Sequence, residues 1–132
     1  NKGISIGLAD PMGANMYSFF KTGELKSEGS SITEGIGQGR ITENIKDMSL
    51  DIPFRVNDSE ALNILYDLIE EEGLFLGLSS GINIAGAKKL AKSLGKDKTI
   101  VTILCDSANR YQNKMFNAGF LEENNLPIPS WL

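Results

Sequence analysis

The sequence predicts an α/β fold: a mostly parallel sheet with helices on both faces. Three observations predict it. Strand-like and helix-like segments alternate along the 132 residues, as they do in repeated β-α-β units. The run "TIVTILCD" (99–106) is continuously apolar and rich in β-branched residues, the mark of a central strand covered on both faces. A content of 41% hydrophobic and 23% charged residues is ordinary for a globular domain.

The elements follow in order. "ISIGLAD" (4–10) reads as a short buried strand, ended at Asp10-Pro11 because proline cannot donate to a ladder. "GANMYSFFKTGEL" (13–25) reads as a short helix with Gly23 as its stop. Residues 26–50 form a long polar, glycine-rich connection, and connections of that length in compact domains are functional or disordered. "DIPFRV" (51–56) is a second strand. Residues 57–73 make a helix in which Asn57 or Asp58 caps the start, Glu60 stands three residues after Asn57 as in a capping box, and Gly73 ends it. Its apolar stripe is Leu62, Leu65, Tyr66 and Ile69. "LFLGL" (74–78) is expected as a short buried strand. Helix 81–94 turns Ile82, Ala85, Gly86, Leu90 and Leu94 inward, with Lys88, Lys89 and Lys92 at its solvated C-terminal end. The tail, 111–132, holds one or two helical turns and then an extended "LPIPSWL". A strand covered on both faces needs neighbours on both sides, and these segments are few for that. Residues 1–132 are therefore expected to be a portion of a larger fold.

The net charge of −4, with scattered lysines and arginines, argues against a nucleic-acid or membrane-surface role, since both need a concentrated basic face. No apolar run reaches the length of a membrane span. The single cysteine, Cys105, leaves no intrachain disulfide and fits a reducing compartment. Histidine is absent, which removes Ser-His and Cys-His nucleophile pairs and the usual zinc sets. Chemistry on this chain would draw its reactivity from a cofactor.

Three motifs are candidates for a site. "EGIGQGR" (34–40) alternates Gly35, Gly37 and Gly39. It lacks the dinucleotide and P-loop spacings, and reads either as a flexible connector or as a loop whose backbone approaches a ligand. "GLSSGIN" (77–83) places two serines where an apolar run meets a helix. One serine suffices as an N-cap, so the other is a buried hydroxyl in need of a partner, at the kind of junction where open parallel sheets bind ligands. Cap and ligand contact stay equally open on spacing. "CDSANRY" (105–111) leaves the predicted central strand with Asp106 and Ser107 at its carboxyl end, as a turn or as part of the same crevice. Cys105 reads as a small core residue, with no histidine to activate it.

Taken together, "EGIGQGRIT", "GLSSGINIAGA", "TIVTILCDSANRYQNKMFN" and "LPIPSWL" resemble the C-terminal part of the cysteine synthase (O-acetylserine sulfhydrylase) family, pyridoxal 5'-phosphate enzymes of the tryptophan synthase β-like fold (fold-type II). The match runs in order along essentially the whole chain, and the closing "LPIPSWL" with the glycine loop favours this family over threonine dehydratases. The resemblance implies that Ser79 bonds the pyridine nitrogen of the cofactor, and that Cys105, Asp106 and Ser107 lie at that edge of the ring. Many relatives have proline at the Cys105 position, so that residue would have a packing role. Gly35, Ile36, Gly37, Gln38 and Gly39 match the loop that lines the substrate and moves on closure. A neutral hydroxyl at Ser79 would leave the ring nitrogen largely unprotonated, where an aspartate would hold it protonated.

The resemblance places the Schiff-base lysine, the substrate-carboxylate loop and the phosphate cup before Asn1, so these residues alone are expected to be inactive, with no catalytic residue and no metal site among them. The activity implied is formation of L-cysteine and acetate from O-acetyl-L-serine and sulfide by β-elimination then β-addition, in a cytoplasmic homodimer that can also bind serine acetyltransferase. A cystathionine β-synthase-type enzyme, or a non-catalytic binding or regulatory module with the same fold, are the alternatives.

Overall fold

In the computed structural model, which describes residues 3–132, the frame is a two-stranded parallel sheet of β1 (Gly7–Pro11) and β2 (Ile52–Val56), in register from Gly7 opposite Ile52 to Pro11 opposite Val56. The strand expected over 4–10 is thus shorter at its start. It runs one residue past Asp10, because the bond to β2 at that end is donated by the Met12 N–H to the Val56 carbonyl at 3.1 Å and asks nothing of the proline nitrogen.

Helices cover both faces. α1 (Met16–Thr22) ends at Gly23, whose φ of 81° is the left-handed conformation that suits glycine. α4 (Leu78–Leu94) carries Gly86 against β1; a Cβ there would lie 2.5 Å from that of Ala9. Side chains alternate along a strand. Ala9 therefore faces α4, while Asp10 faces α1 and accepts a hydrogen bond from the Tyr17 N–H at 2.9 Å.

α3 (Asp58–Glu72) follows its sequence closely. Asn57 accepts from the Glu60 N–H, the Glu60 side chain accepts from the Asn57 N–H, and Gly73 closes the helix at φ 66°. Its stripe packs Leu62, Leu65 and Tyr66 against Leu78, Ala108, Tyr111, Met115 and Leu121, all buried. Each fully buried side chain of this size contributes about 1.5–3 kcal/mol. After α4 come a 3-10 turn (Ala108–Tyr111), α5 (Gln112–Met115) and α6 (Ala118–Glu123). Tyr66 donates to the Met115 carbonyl at 2.7 Å, and Trp131 meets the Tyr66 ring edge-on, so the extended tail is held to the same cluster. The long connection 26–50 contains one short helix, α2 (Glu43–Lys46).

Two expected strands are corrected. Residues 74–78 make a single antiparallel bridge, Leu76 to Ser107, with Leu74 and Phe75 exposed. Residues 99–106 are not a covered central strand: Val101 is 88% and Ile103 70% exposed, and among the described residues no strand pairs with them over 99–105. A groove of about 620 Å³ separates them from β1. Its floor is Ala87, Leu90 and Leu94 of α4; its sides are residues 4–9 and 98–102. The apolar pattern there is real, but among the described residues no strand satisfies it.

Candidate functional site

The first turn of α4 answers why two serines stand together. Neither is the cap: that position is Gly77, and Ser79 and Ser80 lie inside the helix, both buried. Ser80 accepts a hydrogen bond from the Cys105 N–H at 2.9 Å, satisfying a backbone donor that leaves the 99–104 segment. Ser79 donates to Asp106 Oδ1 at 3.3 Å. The second oxygen, Oδ2, accepts from the Tyr111 hydroxyl at 2.8 Å and lies 3.7 Å from Arg110 Nη1. Burial first, and then the neighbouring Asp106 carboxylate, push the Tyr111 phenol up to about 12, so it keeps its proton and donates.

Glycine at position 77 is what permits this corner. A Cβ there would sit 2.1 Å from Asp106 Oδ1 and 2.7 Å from the Tyr111 ring, closer than van der Waals contact allows. The Gly77 N–H donates to the Asp106 carbonyl at 2.8 Å and the Ala108 N–H to the Phe75 carbonyl at 3.3 Å. These bonds fix the start of α4 to the segment entering the 3-10 turn.

The corner opens onto a crevice of about 580 Å³ between β1, the start of α4 and the loop at 34–36. Leu8, Ala9 and Ile36 give it apolar walls; Ser79, Asn83 and Asp106 are polar groups within it. Asn83 was not singled out in the sequence, yet it stands four residues after Ser79, one turn along the same face. Its amide donates to the Ile103 carbonyl at 2.9 Å and reaches Cys105 Sγ at 3.6 Å. Glu34, Arg110 and Tyr111 also line the crevice and were likewise not singled out.

The structure divides the remaining sequence candidates. Cys105 and Asp106 line the crevice with Ser79. Cys105 is exposed rather than the expected core residue, because the segment carrying it borders the open groove. Ser107 faces elsewhere and caps the 3-10 turn, accepting from the Asn109 N–H at 3.3 Å. Of the glycine loop, Gly35 and Ile36 reach the crevice, whereas Gly37, Gln38 and Gly39 line a separate recess beside Pro11 and Ala14. The loop is pinned at both ends. Asp58 accepts from the Ser31 hydroxyl and the Ile32 N–H, and Lys114 donates to the Ile32 carbonyl at 2.9 Å and to Glu34 at 2.6 Å. The Asn15 side chain donates to the Gly39 carbonyl at 3.3 Å. Between the pins, Gly35 and Gly37 have φ of 72° and 86°, a region that favours glycine. The hydrogen bond from Lys114 holds the Glu34 carboxyl below its ordinary value.

A parallel strand carrying a helix on each face, with a crevice where a helix start presents a buried hydroxyl, is the architecture of an α/β enzyme that holds a cofactor beside its sheet. Comparison with known proteins gives the class its family: the chain belongs to the family described as "Pyridoxal-phosphate dependent enzyme", matched over residues 3–106. It is 47% identical to cysteine synthase 1 of Neurospora crassa over 90% of its own length and 33% of that protein's. It is 38% identical to cysteine synthase of Dictyostelium discoideum over 97% of its own length and 36% of that protein's. In fold it is similar to the crystal structure of an O-acetylserine dependent cystathionine beta-synthase from Helicobacter pylori, with a TM-score of 0.73 and 27% identity over 84% of this chain and 34% of that one. The chain spans about a third of the length of the relatives it matches. No helix among the described residues is long and apolar enough to cross a membrane.

Proposed function

We propose that these residues are the C-terminal portion of a cysteine synthase, one wall of an active site that makes L-cysteine and acetate from O-acetyl-L-serine and sulfide. The observation that carries the reading is the buried Ser79 hydroxyl, 5% exposed, placed among apolar walls in a chain of this family. A flat heteroaromatic ring buried against Leu8, Ala9 and Ile36 needs one polar partner for its nitrogen, and the cost of burying that nitrogen unpaired is what such a hydroxyl removes. The residues therefore fit pyridoxal phosphate: Ser79 would hold the ring nitrogen, with Cys105 and Asp106 beside that edge. When bound, the cofactor supplies an electron sink that lets a substituent leave Cβ of an amino acid and a thiol nucleophile take its place. Gly35 and Ile36 bring backbone close to the bound amino acid. The pinned loop ends and the permissive glycines between them allow this stretch to close over substrate and exclude water.

The reading extends to the whole protein. The groove between β1 and residues 98–102 has an apolar floor that strands of the remaining fold would cover, and the 99–106 segment then becomes the covered strand that its composition predicts. The Schiff-base lysine and phosphate cup would come from that remainder. A cytoplasmic homodimer, able to bind serine acetyltransferase, completes the proposal.

The neighbour described as a cystathionine beta-synthase supplies the second reading, in which homocysteine is the thiol. Steady-state turnover of the full-length enzyme with O-acetylserine and either sulfide or homocysteine separates them. Cysteine formation at the higher kcat/KM is expected; faster cystathionine formation overturns the reading, and inactivity with both favours a non-catalytic module.

A further inference from the structure

We propose that Lys114 is a positioning residue for the amino-acid substrate: by holding Glu34 and the Ile32 carbonyl, it fixes the stretch from which Gly35 and Ile36 reach the crevice. The inference rests on the proposed function, in which Gly35 and Ile36 lie beside the bound amino acid.

Lys114 stands on a rigid base. Its neighbour Met115 is fully buried in the cluster beside α3, and the Met115 carbonyl accepts from the Tyr66 hydroxyl at 2.7 Å. From there the ammonium crosses to chain 80 residues earlier, donating to Glu34 Oε1 at 2.6 Å and to the Ile32 carbonyl at 2.9 Å. An ammonium has three donors, and two of them go to one short stretch of loop. In the turn just before Lys114, Tyr111 donates to Asp106 at 2.8 Å. Residues 111–114 therefore support both sides of the crevice, the Asp106 corner and the loop at 34–36.

The near end of the loop is held by opposite charges. Asp58, the first residue of α3, accepts from the Ser31 hydroxyl and, at 2.9 Å, from the Ile32 N–H. The peptide that follows is the one Lys114 holds: its oxygen is the Ile32 carbonyl, and its hydrogen, on Thr33, is donated to Ser31 Oγ at 3.1 Å. Past Glu34 the restraint stops. Gly35 has a φ of 72° and open space where a Cβ would be. On the far side the Gln38 carbonyl accepts from the Asn15 N–H at 3.0 Å, so 35–37 lies between two anchors. Without Lys114 the near anchor retreats to Ile32, and the free stretch grows to 33–37. Binding substrate must then order more backbone, at a cost in entropy. The hydrogen bond from Lys114 keeps the Glu34 carboxyl below its ordinary value, so the pair is charged at neutral pH. Glu34 is largely exposed, and such a pair adds little to global stability. Its effect is to place the loop.

The test uses the full-length holoenzyme. Lys114→Met keeps an apolar stem and removes the charge and the donors. Its KM for O-acetylserine should rise about fivefold or more with kcat within about twofold, as when binding rather than chemistry is lost. Loss of folded protein would do the reverse, lowering kcat at constant KM. Amide hydrogen exchange locates the change: the Thr33 N–H, on the peptide that Lys114 releases, should exchange several-fold faster, while the Leu65 N–H inside α3 keeps its rate. Glu34→Gln weakens the same contact and should raise KM less. Added to Lys114→Met it should change nothing more, because the two residues act as a unit. With a wild type that turns over O-acetylserine, the proposal alone is overturned by an unchanged KM in Lys114→Met, by unchanged Thr33 exchange, or by a Glu34→Gln effect that multiplies with that of Lys114→Met. A wild type that does not turn over O-acetylserine overturns the proposal together with the function on which it rests.

Discussion

The two ends of α4 present opposite situations. At its start, Ser79, Ser80 and Ile82 are buried, and each serine is matched to a group on the 105–106 segment. Toward its end, Ala87, Leu90 and Leu94 floor an open groove whose far side includes Val101, which stands in solvent with nearby Ile103. The first end is completed by residues within this chain. The second has every feature of a sheet interior except its strand. The difference separates a part of the fold whose polar partners lie within these residues from a part whose apolar surface has no partner strand among the described residues.

The largest expected effect comes from isolating residues 1–132. Their open apolar groove and unpaired strand edges favour association, so gel filtration should show aggregates or higher species, and a cofactor-loaded sample should show no bound absorbance after desalting. A well-behaved monomer that keeps cofactor would remove the contrast. Next is Gly86→Val in the full-length enzyme. Its Cβ meets that of Ala9 at 2.5 Å, and the overlap should cost about 3 kcal/mol in denaturant unfolding. A cost under about 1 kcal/mol would mean that α4 and β1 are not packed as described. Ser80→Ala leaves the Cys105 N–H without its acceptor and should cost about 1–3 kcal/mol. The same substitution at the exposed Ser93, on the other end of α4, should cost under about 0.5 kcal/mol.

The smallest effect is one of pH, on the α1 side of β1. Burial holds the Asp10 carboxyl above its ordinary value of 3.8, against the Tyr17 N–H and Arg55, which lower it. The folded state therefore binds this proton more tightly than the unfolded one. The contribution is fully present below 3.8 and is lost as pH rises through the raised value. Asp10→Asn should flatten that part of the stability profile in pH-dependent melts while keeping an acceptor for Tyr17. An unchanged acid-side slope would refute the assignment.

What was legible in the sequence was local. The capping box of Asn57 and Glu60, the stripe of α3 and the stops at Gly23 and Gly73 depend on neighbours a few residues away, and the structure has them all. The 99–106 segment was readable as apolar but not as unpaired, because a strand's partner is set by distant chain. The serine pair was visible, but the choice between cap and contact was not: Gly77 takes the cap, and Asp106 and Tyr111 reach the site only through folding. Ser107 repeats the residue type of Ser79 in a similar setting and turns out to be a cap. Asn83 could have been found from its helical spacing to Ser79.

Ser79 is proposed to hold the cofactor ring, and its removal should be felt in cofactor affinity. The direct measurement is the dissociation constant of pyridoxal phosphate for full-length Ser79→Ala against the wild type. Loss of one hydrogen bond to a buried ring nitrogen, about 1–1.5 kcal/mol, should weaken binding by roughly five- to tenfold. Equal affinity in the two proteins would contradict the claim.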